Sequence, residues 1–328
     1  MIRRWVWAQW HRRSWMWLLW PLSCLYAMLM KLRQQCYLKG WFRSVRVPVP
    51  VWVICNLTVG GTGKTALVMH LAHMLVQKGL RPGIISRGYG GTVSSTPRLV
   101  TTSESVAVVG DEALLMMTKT ACPMVVCSDR VRAAQTLLQH HGCDVLLSDD
   151  GLQHLALQRD LEVVVQDDQR GFGNGWCLPA GPLREPAGRQ QAVDLVVLNG
   201  PRKSSSMWMN RICRQVYRLD QPDVCCLLED FCGVEVQLMS AIGDPGRLRF
   251  GLSSQGLIIK HTLFFKDHHL YHWSDLSGLR DGIPVFVTEK DAIKMTKIKT
   301  NHVVWVLKES IELSVALNRQ FEEYFATL

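Results

Sequence analysis

The chain has 328 residues, 48% of them hydrophobic and 20% charged, which excludes a disordered polyelectrolyte and leaves room for one large or two medium domains. The net charge is +9, but nine of the 37 basic residues and none of the 28 acidic ones lie in residues 1–50, so the other 278 residues carry 28 of each. A neutral body has no excess charge for a phosphate backbone, and no nucleic-acid partner is expected.

The basic end is also rich in tryptophan, with six of the twelve in the first twenty residues (Trp5, Trp7, Trp10, Trp15, Trp17 and Trp20). Ser14–Met30 is an uncharged, mostly apolar run of 17 residues, preceded by Arg3, Arg4, Arg12 and Arg13 and followed by Lys31, Arg33 and Lys39. As a helix it is about 26 Å long against roughly 30 Å of bilayer hydrocarbon. The flanking cations favour a membrane helix held at the anionic cytoplasmic face, either barely spanning or lying in the interface. No small-residue cleavage site follows the run, which disfavours a signal peptide. The eleven cysteines include no C-x-x-C pair and no zinc spacing, and Cys55 and Cys127 read as reduced core residues.

After an extended Val47–Pro50 linker, short apolar strands alternate with helices. Strands are predicted at Val51–Asn56, Gly83–Ser86, Met124–Ser128, Val145–Ser148, Leu161–Gln166 and Asp194–Asn199, with helices at Thr65–Lys78 and Val131–His141. That rhythm predicts an α/β fold with a mostly parallel sheet covered on both faces. From about Arg218 the pattern resets. Phe231–Leu238 and Gly256–Lys266 have strand or mixed character, Pro284–Val287 and His302–Leu307 are strands, and Ile311–Phe325 is a closing helix. The expected organisation is an anchor region 1–46, a nucleotide-binding domain 47–220 and a smaller α/β domain 221–328.

The first strand runs into VGGTGKT. Thr58, Val59, Gly60, Gly61, Thr62, Gly63, Lys64 and Thr65 form a candidate triphosphate cradle of the P-loop type. The glycines let backbone N–H groups converge on phosphate oxygens, Lys64 reaches the β/γ-phosphates, and the Thr65 hydroxyl takes Mg²⁺ at a helix start. Thr58 stands where the common pattern has glycine. Val145–Asp150 ends in two acids that a parallel sheet would bring to the same edge, one for the metal and one to orient a base.

These residues sit in a longer series: NLTVGGTGKT (56–65), ISRGYGG (85–91), VGDE (109–112), SDDGLQH (148–154), FGNGWCLPAGPLREP (172–186), KDHH (266–269) and VTEKDAIK (287–294). The series resembles the tetraacyldisaccharide 4′-kinases of lipid A biosynthesis from end to end. The resemblance implies a P-loop NTPase-like α/β fold with a second, smaller α/β domain and an N-terminal membrane helix at the cytoplasmic face of the bacterial inner membrane. It implies transfer of the γ-phosphoryl of ATP, with Mg²⁺, to the 4′-hydroxyl of a lipid disaccharide 1-phosphate, and no protein partner. Carried over, Lys64 and Thr65 serve phosphate and metal, Asp149 and Glu185 are on the metal side, and Asp150 with His268 forms a catalytic dyad. Asp111, Glu112 and Arg184 match further active-site positions. A histidine has the right ordinary pKa to take a sugar hydroxyl proton, so His268 is expected as base and Asp150 as its orienter, and because His268 lies in the second domain the dyad is expected to form only when the cleft closes. Cys55, Ala66 and Ala113 depart from the family's usual glycine and prolines.

Arg87 suits either a phosphate or acidic-substrate contact or a loop ion pair. Gly171–Gly175 precedes prolines rather than a helix and reads as a substrate loop. Thr288-x-x-Asp291 fits a helix cap. Two other readings of the loop remain open on residues alone: a P-loop kinase of a soluble small molecule, and a membrane-bound ATP-driven switch.

Overall fold

A computed structural model describes residues 9–10, 15–92, 94–200, 205–296, 298 and 300–328. Arg3, Arg4, Trp5, Trp7, Arg12, Arg13 and Ser14 of the expected anchor lie outside them. A 3-10 turn at Trp15–Leu19 leads into helix α1, Trp20–Leu38, with Pro21 in its first turn, where no N–H is needed. Trp15–Leu38 is 24 residues long and, by length and composition, apolar enough to cross a membrane.

Strand β1, Val51–Cys55, is buried at all five positions because both faces of the sheet are covered there. It pairs in parallel with β5, Val145–Asp149, and with β6, Leu161–Asp167. Beyond β5 come β2, Pro82–Ser86, and β4, Met124–Val126, with the short β3, Arg98–Leu99, antiparallel at the edge. Beyond β6 comes β7, Leu195–Asn199, then β8, Trp208–Arg218, on which β9, Cys225–Leu227, pairs antiparallel. The other half is carried by β10, Glu235–Ser240, β11, Ile258–Phe264, β12, Val285–Thr288, and β13, Val304–Leu313, in the order β11-β10-β12-β13. An antiparallel β8–β13 pair joins the halves into one 13-stranded sheet.

Alternation along β1 divides the first half's core. Trp52 and Ile54 meet Leu67, Leu71 and Leu75 of helix α2, Lys64–Gln77, while Val51, Val53 and Cys55 meet Ala133 and Leu137 on the opposite face. The remaining helices are α3, Val106–Val109; α4, Asp111–Thr120; α5, Arg130–His140; α6, Pro245–Ser254; α7, Glu289–Met295; and α8, Val315–Phe325. Leu317, Phe321 and Phe325 of α8 return to the first half, where Phe325 stacks on Trp52 at 5.6 Å.

The periodicity of β8 is easily missed, because only Met209 and Val216 of its eleven residues are buried and a register shift opposite Lys308 and Glu309 breaks the alternation. Arg211 and Arg214 pair across the ladder with Glu309 and Glu312. The same ladder keeps Ile311–Leu313 extended, so the closing helix starts at Val315 rather than at the expected Ile311, with the Ser314 hydroxyl accepting from Leu317 N. All eleven cysteines are free thiols, and Cys55 and Cys127 are buried as expected.

Candidate active site

The loop 56–63 leaves β1 at the carboxyl edge of the sheet and enters α2. Gly60 and Gly63 have φ of 113° and 91°, a region only glycine enters cheaply. A Cβ on Gly63 would stand 2.6 Å from the Asn199 amide nitrogen, which donates to the Thr62 carbonyl at 2.8 Å. Asn56 closes the loop from inside, its side-chain amide donating to Gly60 O at 3.0 Å and its Oδ1 accepting from Lys64 Nζ at 3.0 Å. Val59 N donates to Pro182 O at 2.8 Å, and Arg184 N donates to Leu57 O at 2.7 Å, so the 172–186 loop is laced to the phosphate loop.

Asp149 and Asp150 end β5 beside that loop. Asp150 takes φ +53°, which turns its carboxylate toward Lys64 Nζ, 3.7 Å away. One Arg184 guanidinium nitrogen donates to both Asp150 oxygens, at 2.8 and 2.7 Å. Burial opposes its ionisation, but Lys64 and Arg184 outweigh burial and hold the carboxyl at about 2. Asp149 is different. It is 3% exposed, and burial together with the nearby Glu112 pushes its carboxyl up to about 7. Its Oδ1 is buried without a hydrogen-bond partner, and so is the Thr62 hydroxyl.

The expected Asp150–His268 dyad is not formed. His268 Nδ1 instead lies 2.9 and 3.0 Å from the two oxygens of Asp111. The reason is steric and electrostatic: Asp150 is already engaged by Lys64 and Arg184, whereas the 265–272 loop following β11 meets the start of α4. Gly110, with φ +88°, places Asp111 at that helix start. A carboxylate only accepts, so Nδ1 carries the proton toward Asp111, and Nε2, which faces Asp267 Oδ2 at 3.6 Å, is the nitrogen available to take one up. Burial works against the Asp111 charge, but the His268 hydrogen bond and Lys290 hold its carboxyl below the usual carboxylate range. Tyr89 packs edge-on against His268, with ring centroids 5.0 Å apart.

Lys290 connects this pair to the loop. Its Nζ is 2.9 Å from Glu112, 3.5 Å from Asp111 and 3.7 Å from Asp267, and the other Glu112 oxygen accepts from the Thr65 hydroxyl at 3.4 Å. The polar path therefore runs Thr65–Glu112–Lys290–Asp111–His268. Lys290, Asn56 and Asn199 are the contributors that sequence reasoning missed. Lys290 had a signal, since it sits in the VTEKDAIK stretch, one residue from a cap. That cap is structural, as expected: Thr288 Oγ1 accepts from Asp291 N, and the buried Asp291 also accepts from Ser240, Ala241 N and Tyr271.

The expected metal set is brought together only in part. Asp149 and Thr65 adjoin Glu112 at the loop, but Glu185 accepts from Gln153 Nε2 at 2.7 Å and lies 3.5 Å from Arg189 Nε. Among the described residues no three carboxylate, histidine or cysteine groups form a metal cage. A buried carboxylate oxygen without a hydrogen-bond partner, near the same Glu112 that accepts from the Thr65 hydroxyl, nevertheless fits a divalent cation that takes its other ligands from phosphate and water. Arg87 is exposed at the end of β2 and borders a shallow recess with Thr92, Ser94, Thr96 and Arg98.

A phosphate loop at the edge of a parallel sheet, joined through a lysine–carboxylate path to a His–Asp pair, defines a P-loop phosphotransferase. Residues 15–326 match the model of the tetraacyldisaccharide-1-phosphate 4′-kinase family, LpxK, and the chain belongs to that family. It is 42% identical over 320 residues to a tetraacyldisaccharide 4′-kinase of Hahella chejuensis, covering 95% of this chain and 94% of that one. It is 48% identical over 275 residues to one of Alkalilimnicola ehrlichii, covering 84% and 82%. The fold is similar to the crystal structure of LpxK from Aquifex aeolicus in complex with ATP, with a TM-score of 0.78, 27% identity, and coverage of 95% of this chain and 99% of that one.

Proposed function

We propose that this chain is an ATP-dependent tetraacyldisaccharide 4′-kinase, moving the γ-phosphoryl group of ATP to the 4′-hydroxyl of a tetraacyldisaccharide 1-phosphate. The observation that carries this reading is the continuous polar path from Thr65 of the phosphate loop to the Asp111–His268 pair. A nucleotide-driven switch has no use for a histidine base at the end of such a path.

The backbone N–H groups of residues 60–65 and Lys64 hold the β/γ-phosphates. Asp149 and the Thr65 hydroxyl would hold Mg²⁺, which when bound neutralises charge on the transferring group. Nε2 of His268 takes the proton from the sugar hydroxyl, and Asp111 holds the ring through Nδ1 and stabilises the imidazolium that forms. Arg184 keeps Asp150 ionised next to Lys64 and so fixes the lysine for the transferring phosphate. Arg87, exposed on the same edge, is assigned to the acceptor's anionic group.

The acceptor is lipid-borne, and the chain carries the means to meet it. Trp17, Leu18, Leu22, Leu25, Met28, Leu29 and Leu32 recur at helical spacing along α1 and its preceding turn, and all are exposed. We assign this stripe to the lipid surface at the cytoplasmic face of the bacterial inner membrane. The test is transfer of label from γ-labelled ATP to a tetraacyldisaccharide 1-phosphate in mixed micelles. Labelled 4′-phosphorylated glycolipid supports the reading; acceptor-independent release of phosphate with no labelled lipid defeats it.

A further inference from the structure

Helix α1 has a second stripe, opposite in chemistry to the first. The buried Ser23 hydroxyl donates to Cys177 O at 2.8 Å, the Tyr26 hydroxyl to Arg184 O at 2.9 Å, and Arg33 Nη1 to Gln153 O at 2.9 Å. Residues 23, 26 and 33 fall on one helical face. Their acceptors belong to the two loops that build the phosphate edge, 150–154 and 172–186, and these loops are themselves tied by the Gln153–Glu185 hydrogen bond of 2.7 Å.

Arg184 is the point of convergence. Its carbonyl accepts from Tyr26, its N–H donates to Leu57 O, and its guanidinium holds Asp150, which faces Lys64. An anchor that served only to reach the bilayer would need no directed hydrogen bond to the backbone of an active-site arginine. Apolar packing would dock it as well and would leave the arginine's rotamer to chance.

We infer that Tyr26, assisted by Arg33, is a positioning residue for phosphoryl transfer: by holding the Arg184 carbonyl it sets the Arg184–Asp150–Lys64 constellation, so the lipid-facing helix is part of the catalytic scaffold. This rests on the kinase reading above. Tyr26 does not touch substrate, and its effect passes through Arg184. It differs from a stabilising contact in acting on turnover rather than on folding or lipid affinity.

The experiment uses the full chain in mixed micelles with the tetraacyldisaccharide acceptor. Tyr26→Phe removes only the hydroxyl, and kcat should fall roughly three- to tenfold, the equivalent of one directed hydrogen bond. KM for ATP and for lipid should stay within about twofold, because ground-state binding is not what the bond supplies. Thermal midpoint and partition onto anionic vesicles should match the unsubstituted chain. Added to Arg184→Lys, Tyr26→Phe should cost less than about twofold more, since the two act through one path. Arg33→Gln should lower kcat in the same direction. An unchanged kcat overturns the inference, as does a full additional loss in the Arg184→Lys background or a loss explained by lowered thermal midpoint or vesicle binding. If the unsubstituted chain itself labels no lipid, it is the kinase reading that fails.

Discussion

Nδ1 of His268 lies 2.9 Å from a carboxylate oxygen of Asp111, although 157 residues separate the two in the chain. Asp111→Asn keeps the shape of this contact but loses the charge that fixes the tautomer and balances the imidazolium. Lipid phosphorylation should fall about 100-fold in kcat, at the lower end of what a positioned base supplies. KM for ATP should barely move. Labelled product counted over time at saturating ATP checks this, with His268→Ala as the reference for full loss.

Gly90 makes that contact sterically possible. Its φ is +87°, and a Cβ there would stand 2.8 Å from His268 Nδ1 and 3.4 Å from an Asp111 oxygen. Gly90→Ala should therefore reduce kcat at least tenfold while costing about 1–3 kcal/mol of stability. Gly61→Ala is the contrast. Its Cβ meets nothing within 4 Å and its φ is not positive, so stability should stay within about 0.5 kcal/mol. Urea unfolding of both variants, run beside the kinase assay, separates the two cases.

Asp149 gives a pH dependence with a definite sign. Burial and Glu112 raise its carboxyl to about 7, above the ordinary carboxylate value. Below the unfolded-state value the residue is neutral in both states and has no effect. Between there and about 7 the unfolded chain ionises and the folded one does not, so stability falls with rising pH; above about 7 the cost is constant. Asp149→Asn should thus be more stable than the unsubstituted chain by on the order of 2–4 kcal/mol at pH 8 and nearly equal at pH 3.5. A divalent cation with nucleotide should expel the remaining proton. Calorimetry in buffers of different ionisation enthalpy should show proton release at pH 7, and none in Asp149→Asn.

Lys290 is the shared cation of Asp111, Glu112 and Asp267, and burial of the lysine is outweighed by these carboxylates. Lys290→Met leaves three carboxylates facing one another. A loss of about 2–3 kcal/mol is expected at pH 8, shrinking as the pH falls toward 4 and the carboxylates take up protons. The acid limb of the kcat profile should move upward for the same reason. Chemical denaturation at the two pH values reads the first, and initial rates from pH 5 to 9 the second.

Much of this site was legible before any coordinates, because it rests on local patterns. A buried strand, three glycines and Lys64-Thr65 specify a phosphate loop, and a strand ending in Asp149-Asp150 places carboxylates on the same edge. The histidine's partner was not legible. Asp111 and Asp150 are both acids at element ends, and choosing between them depends on the Asp150 turn and on where the 265–272 loop lands. Both are set by tertiary packing. Lys290 was hidden for a related reason: the cap formed by Thr288 and Asp291 explains its stretch without it. β8 escaped because its outward arginines are matched to Glu309 and Glu312 across a strand almost a hundred residues further on.

The stacking of Phe325 on Trp52 sets a timetable for the protein's birth. Trp52 belongs to the strand that delivers the phosphate loop, yet Phe325, Phe321 and Leu317, which finish its core, are translated more than 260 residues later. Until α8 has left the ribosome, the loop hangs from a strand with part of the packing on one face missing. A nascent chain stalled before residue 315 should be soft at β1 and hold nucleotide more weakly, although the loops that meet its N-terminal helix are already made.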